Sequence, residues 1–137
     1  MQIVIDTSAL FAVLMREDGY EPLREILLIE PILAPAVVVV ELSRVALRRG
    51  IADETIGRYF QQLGRGQFGI EPFNAEMALI AQEANRRFGS GNGTGGLLNL
   101  LDLMVYATAK ALDRPILCTG RDFASTDAKI HPASRIG

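Results

Sequence analysis

The fold is decided by the opening run Met1-Gln2-Ile3-Val4-Ile5-Asp6-Thr7-Ser8-Ala9-Leu10-Phe11-Ala12-Val13-Leu14-Met15. From Gln2 to Ile5 it is apolar and β-branched without polar alternation, the pattern of a strand buried on both faces in a parallel sheet. Asp6 ends the strand. Thr7 and Ser8, both good helix N-caps, come next, followed by an apolar helical run. An acid therefore stands where a strand hands over to a helix. In open α/β sheets, ligands bind beyond the carboxyl ends of the strands.

Working outward, the chain repeats this alternation. Glu21 to Ile29 reads as a helix with Pro22 in its first turn. Pro31-Ile-Leu-Ala-Pro35 reads as a second strand, followed by a helix to about Arg49 that Gly50 closes. Its four consecutive valines oppose helix, but the apolar spacing through Leu42, Val45 and Ala46 favours it. A helix from Asp53, itself the expected cap, to about Leu63, a short edge strand at Gly69-Ile-Glu-Pro-Phe73, and a helix capped by Asn74 and stopped by Gly89 come next. The glycine-rich segment after it has no Gly-Lys-Ser/Thr ending and follows no strand, so it reads as a loop, not a phosphate cradle. An apolar helix from Leu98 to Leu112, a strand from Pro115 to Thr119 and a last strand near Ile130 complete the chain. The expectation is an α/β fold, a central parallel sheet of about five strands flanked by helices, in one domain spanning residues 1–137.

Composition narrows the function. Over 137 residues, 49% are hydrophobic, enough for a core that needs no structural metal. The net charge of -2 argues against binding nucleic acid by bulk charge alone. Twelve of the fourteen basic residues are arginine, a bias that reads as genome composition before phosphate recognition. Cys118 is the single cysteine and His131 the single histidine, which excludes an internal disulfide and leaves a thiol nucleophile with one candidate base. No uncharged apolar stretch reaches the roughly 18 residues of a membrane span. The first residues lack the pattern of a signal peptide, so a cytoplasmic protein is expected.

Four carboxylates carry the chemistry. Asp6 and Asp122 follow strands, where most acids are turn or cap residues. Glu41 is flanked at helical spacing by Val37, Val38 and Val45, so its charge lies inside an apolar stripe. An i,i+3 pair with Arg44, worth about 0.2–0.5 kcal/mol, would not offset burying it. Asp102 lies among Leu98, Val105 and Tyr106, and also reads as the N3 acid of a capping box begun by Asn99. Converging acids repel unless a cation sits among them or some stay protonated. A set made only of oxygens selects Mg²⁺, Mn²⁺ or Ca²⁺, and Mg²⁺ pairs with phosphates, which points to phosphodiester or phosphoryl chemistry.

Several motifs occur in order: Ile3-Val-Ile-Asp-Thr-Ser-Ala-Leu10, Glu41-Leu42, Leu98-Asn-Leu-Leu-Asp102 with Tyr106-Ala-x-Ala-Lys110, Thr119-Gly-Arg-Asp-Phe123, and Thr126-Asp127. This set resembles the PIN domain, and within it the VapC-type toxins of bacterial type II toxin–antitoxin pairs. The resemblance implies a Mg²⁺-dependent endoribonuclease for single-stranded RNA, with Mn²⁺ able to substitute. It also implies a homodimer and a cognate antitoxin that occludes the site. It puts the four acids on Asp6, Glu41, Asp102 and Asp122 as catalytic and metal-binding residues, with Asp6 and Asp102 the main ligands. Ser8 would orient Asp6 or water, Asn99 would support Asp102, and Thr119 and Asp127 would be further supporting positions. Many relatives carry two adjacent acids where this chain has Arg121-Asp122, so Asp127 is a candidate to share the fourth acid's role.

Two other readings are open to the same residues. A receiver-like Mg²⁺-binding signalling domain also places acids at strand ends, but it needs a second acid beside Asp6 and a lysine after Thr119, and this chain has neither. A catalytically silent relative would be a binding module, against which the complete acid set argues. Arg44, Arg48 and Arg49 read as a solvated helix face before an RNA path.

Overall fold

Three strands are too short to be recognised by length, and their burial explains why they hold. In the computed structural model, which describes residues 2–136, β1 (Ile3–Ile5), β2 (Ile32–Pro35) and β4 (Ile116–Leu117) are buried throughout, whereas β3 (Phe68–Glu71) is only partly covered. The sheet order is β3-β2-β1-β4 and every pairing is parallel. Ile3 pairs with Ile32, Val4 with both Leu33 and Ile116, and Ile32 with Phe68. The edge position expected of the Gly69–Phe73 segment is met by β3, with Pro72 just past its end, where a missing N–H breaks no ladder.

The helices are α1 (Thr7–Leu14), α2 (Tyr20–Ile29), α3 (Ala36–Leu47), α4 (Asp53–Gln61), α5 (Ala75–Phe88) and α6 (Leu100–Leu112). They flank the sheet: α1 packs against α2 and α3, and α5 against α6. Ile5, Leu10, Leu42, Ile116 and Leu117 are fully buried where these layers meet. Each such side chain contributes about 1.5–3 kcal/mol relative to exposure. The valine run of α3 is helical because Val38 joins Leu42 and Ala46 in the core, so tertiary burial outweighs the weak helix propensity of β-branched residues.

Among the described residues the sheet has four strands, one fewer than expected. The segment near Ile130 follows β4 through two single bridges, Ile116 to Ile130 and Thr119 to Arg135. Pro132 lacks a donor, and the chain turns where the Ser134 N–H bonds to the His131 carbonyl, so the ladder is interrupted. Two cap assignments also change. Asp6 itself, not Thr7 or Ser8, caps α1, and Ala52 precedes α4, with Asp53 its first helical residue.

This order places the site. The chain runs outward from β1 to β2 and β3, then returns to lay β4 on the other side of β1. The connections reverse between β1 and β4, and the crevice beyond their carboxyl ends is where an open α/β sheet binds ligands. Asp6 leaves β1 there, and the backbone after β4 leads through Thr119 to Asp122.

Candidate active site

Asp6 is fixed by its own neighbours. Its extended backbone makes it the N-cap of α1, and its side chain, only 7% exposed, accepts from the Ser8 N–H at 3.1 Å and the Ser8 hydroxyl at 2.5 Å. The same hydroxyl oxygen accepts from the Thr119 N–H at 3.0 Å. Ser8 therefore ties the end of β1 to the segment after β4, across the point where the sheet's connections reverse. Thr119 takes part through its backbone.

The other acids come from separate elements. Glu41, on α3, accepts a 2.5 Å hydrogen bond from the Thr7 hydroxyl and makes no ion pair with Arg44 within the described residues. Asp102, in the first turn of α6, forms the capping box read from the sequence: the Asp102 N–H donates to the Asn99 side chain at 2.9 Å, and the Asn99 N–H donates to the Asp102 carboxylate at 3.1 Å. Asp122 is exposed and opens the short 3₁₀ turn Phe123–Ser125.

These four carboxylates line one cleft of about 470 Å³, together with Ser8, Asn99 and Thr119. Among the described residues none of these four acids forms an ion pair, although Arg48 and Arg49 also line the cleft. Burial pushes the Asp6 carboxyl up to about 6; the Ser8 hydrogen bonds oppose this and the Glu41 charge adds to it. Asp102 is pushed up to about 7, by burial first; the Asn99 N–H bond opposes, and the charges of Asp6, Asp122 and Glu41 add. Cys118, also nearby, is held as a neutral thiol by burial, pushed up to about 12.

The donor set suits a hard divalent cation, since every side chain offered is an oxygen ligand and the charges present repel one another. Among the described residues, no group of three His, Cys, Asp or Glu side chains is drawn tightly enough to hold an ion alone. The acids stand around the cleft instead of closing on a point. A hard divalent cation held by one or two of these carboxylates would keep waters or substrate phosphates as its remaining ligands.

Asp127 stands apart from this cleft. It accepts from the Tyr106 hydroxyl at 2.5 Å, and Lys110 and Arg87 lie at 3.4 and 3.7 Å. Those partners draw it away from Asp122, so the structure does not bring it to the fourth acid's position. Conversely, Thr7 and Phe11 line the cleft although they were not among the expected site residues, and so do Arg48 and Arg49, which read as a solvated helix face before an RNA path. A signal for the arginines was present: Glu41, Val45, Arg48 and Arg49 are i, i+4, i+7 and i+8, one face of a helix. Nothing in sequence distinguishes Thr7 from an ordinary helix-start threonine.

A family model described as the PIN domain matches residues 3–129. Ribonuclease VapC42 of Mycobacterium tuberculosis is 36% identical over 136 residues, covering 96% of this chain and 98% of that protein. Ribonuclease VapC36 of the same organism is 33% identical over 130 residues, covering 91% and 90%. Among solved structures, a toxin–antitoxin complex from Klebsiella pneumoniae superimposes with a TM-score of 0.71 at 15% identity, covering 95% of this chain and 97% of that one. The sarcin-ricin loop cleaving toxin VapC20 of M. tuberculosis gives 0.70 at 14% identity, covering 92% and 95%. At these identities the structural matches establish the fold, while the family match and the sequence relatives establish descent: the chain belongs to the PIN domain family, among its VapC-type members.

Proposed function

We propose that this protein is a metal-dependent endoribonuclease acting on single-stranded RNA as the toxin of a toxin–antitoxin pair, with Mg²⁺ the working ion and Mn²⁺ able to replace it. The observation that carries this reading is the convergence of Asp6, Glu41, Asp102 and Asp122, from four elements, on one cleft with two of them pushed far up in pKa. A structural role does not require four acids at the carboxyl end of a parallel sheet that, among the described residues, form no ion pair. Kinship with the ribonucleases VapC42 and VapC36 supports the nuclease reading, and likeness to the Klebsiella toxin–antitoxin complex supports an antitoxin partner.

In this reading Asp6 and Asp102 would hold the ion, with Glu41 and Asp122 completing the acidic ring. A bound divalent ion would neutralise a phosphate oxygen, make water a better nucleophile and stabilise charge developing in line. The chain's own residues prepare the site. Ser8 holds Asp6 in one orientation and locks it to the segment after β4. Thr7 holds Glu41, and the Asn99 backbone holds Asp102 at the N-terminus of α6, where the helix dipole favours the ionised form. Thr119 supports through its N–H. One domain, a homodimeric state and a cytoplasmic location belong to the same proposal. Among the described residues, no helix is long and apolar enough to cross a membrane.

The test is cleavage of single-stranded RNA in titrated Mg²⁺. Asp6→Asn, and separately excess EDTA, should reduce cleavage to background while the circular dichroism spectrum is kept. Full activity in either would refute the reading, and no cleavage by the unaltered protein at any Mg²⁺ concentration would favour a silent binding module.

A further inference from the structure

The acidic cleft adjoins a second groove of about 280 Å³, and the two share Glu41, Val45 and Arg48 as lining. Arg44 lines the second groove, Arg49 the first, and Arg48 both. All three are exposed, and none forms an ion pair among the described residues, although the cleft beside them holds four carboxylates. The Arg49 guanidinium instead lies 5.5 Å from the centre of the Phe11 ring, on the wall of the first groove. The C-terminal end of α3 attracts cations by its dipole, but that does not account for a strip of arginines following two joined grooves.

A channel with acids at its centre, unpaired guanidinium groups along one wall and an aromatic face beside them matches a strand of phosphates whose bases stack on aromatic and guanidinium planes. Resting on the ribonuclease reading above, we propose that Arg44, Arg48 and Arg49, with Phe11, form the track that grips the single strand flanking the cleaved bond. Arg48, at the junction, holds the phosphate next to the one attacked. Arg49 and Phe11 stack against a neighbouring base. Arg44 meets the strand as it leaves along the second groove. The acids repel a polyanion, so this strip supplies the attraction that a chain of net charge -2 lacks overall.

The experiment measures anisotropy of a short fluorescent oligouridine binding to the Asp6→Asn protein in Mg²⁺ across a range of KCl concentrations. For single strands the slope of log K against log salt is about -0.7 per phosphate neutralised. Replacing Arg44 or Arg48 by Gln should therefore flatten the slope by about 0.7 for each, whereas replacing Arg49, which stacks on a base, should weaken binding with little change in slope. Arg→Lys at the same positions should keep it, and equal thermal midpoints in the Lys and Gln series would show that the fold is unchanged. Phe11→Leu should weaken binding about tenfold with no change in slope. An unchanged slope and affinity in the triple Gln variant overturns the track, as does failure of the parent to bind the oligonucleotide. RNA cleavage by the unaltered protein is read separately: cleavage with an unaffected slope removes the track alone, and absence of cleavage removes the ribonuclease reading.

Discussion

Asp6 and Asp127 are the same residue type in opposite electrostatic settings. Asp127 takes a hydrogen bond from Tyr106 and has Lys110 and Arg87 within 4.0 Å, and these partners hold its carboxyl below the usual range, the Tyr106 bond most strongly. Asp6 accepts from Ser8 and the Thr7 backbone and has no ion pair among the described residues, and burial pushes it up to about 6. Folding has already satisfied one acid; it has left the other in want of a cation. The contrast separates structural acids from candidate ligands more sharply than position along the chain, since both lie in motifs that the sequence resemblance placed at the site.

The largest effect expected from this contrast is loss of RNA cleavage in Asp6→Asn beside unchanged cleavage in Asp127→Asn, measured on the same substrate. Equal losses would erase the distinction. Next comes Ser8→Ala, which removes the hydroxyl that orients Asp6 and accepts from Thr119. Partners that orient a metal ligand are worth about 10–100-fold, so kcat should fall by that factor with the thermal midpoint little moved.

The third effect is in pH. Asp6 and Asp102 titrate near 6 and 7 in the folded protein and, when unfolded, near the ordinary value of about 3.9. Between these limits the folded state binds more protons than the unfolded chain, so metal-free stability should fall as pH rises from about 4 to about 7. Asp127 works in the opposite direction: its contribution is present above about pH 4 and is lost as pH falls through its depressed value. Urea unfolding at a series of pH values measures both, and saturating Mg²⁺ should abolish the fall. A metal-free curve that rises from pH 4 to 7 would contradict the account. The smallest effect is in Asp127→Ala, which leaves the buried Tyr106 hydroxyl without its acceptor. It should cost about 1–3 kcal/mol of stability, nearly all from the hydroxyl, because exposed ion pairs contribute little.

Much of this was legible in sequence where local chemistry decides. Ile3-Val-Ile followed by Asp6 read as a buried strand and its end, and Asn99 with Asp102 read as a capping box; both are present. The family resemblance read from the ordered motifs is matched by the PIN domain model over residues 3–129. What escaped depends on contacts between distant residues. Thr7 meets Glu41 across 34 residues, and Ser8 reaches Thr119 across 111. Asp127 was drawn toward Asp122 by proximity in sequence, but its partners lie on α5 and α6, which only the packing of those helices reveals. The last strand expected near Ile130 is reduced to single bridges, because the short, mixed sequence there does not reveal the turn that interrupts the ladder.

Manganese binding at pH 7.5, followed by electron paramagnetic resonance on the unaltered protein and on Asp6→Asn/Asp102→Asn, is the most direct test that these acids form a divalent-cation site. The account predicts saturable binding in the unaltered protein that disappears in the double variant while its circular dichroism is preserved. Undiminished binding in the double variant, or none in the unaltered protein, would contradict it.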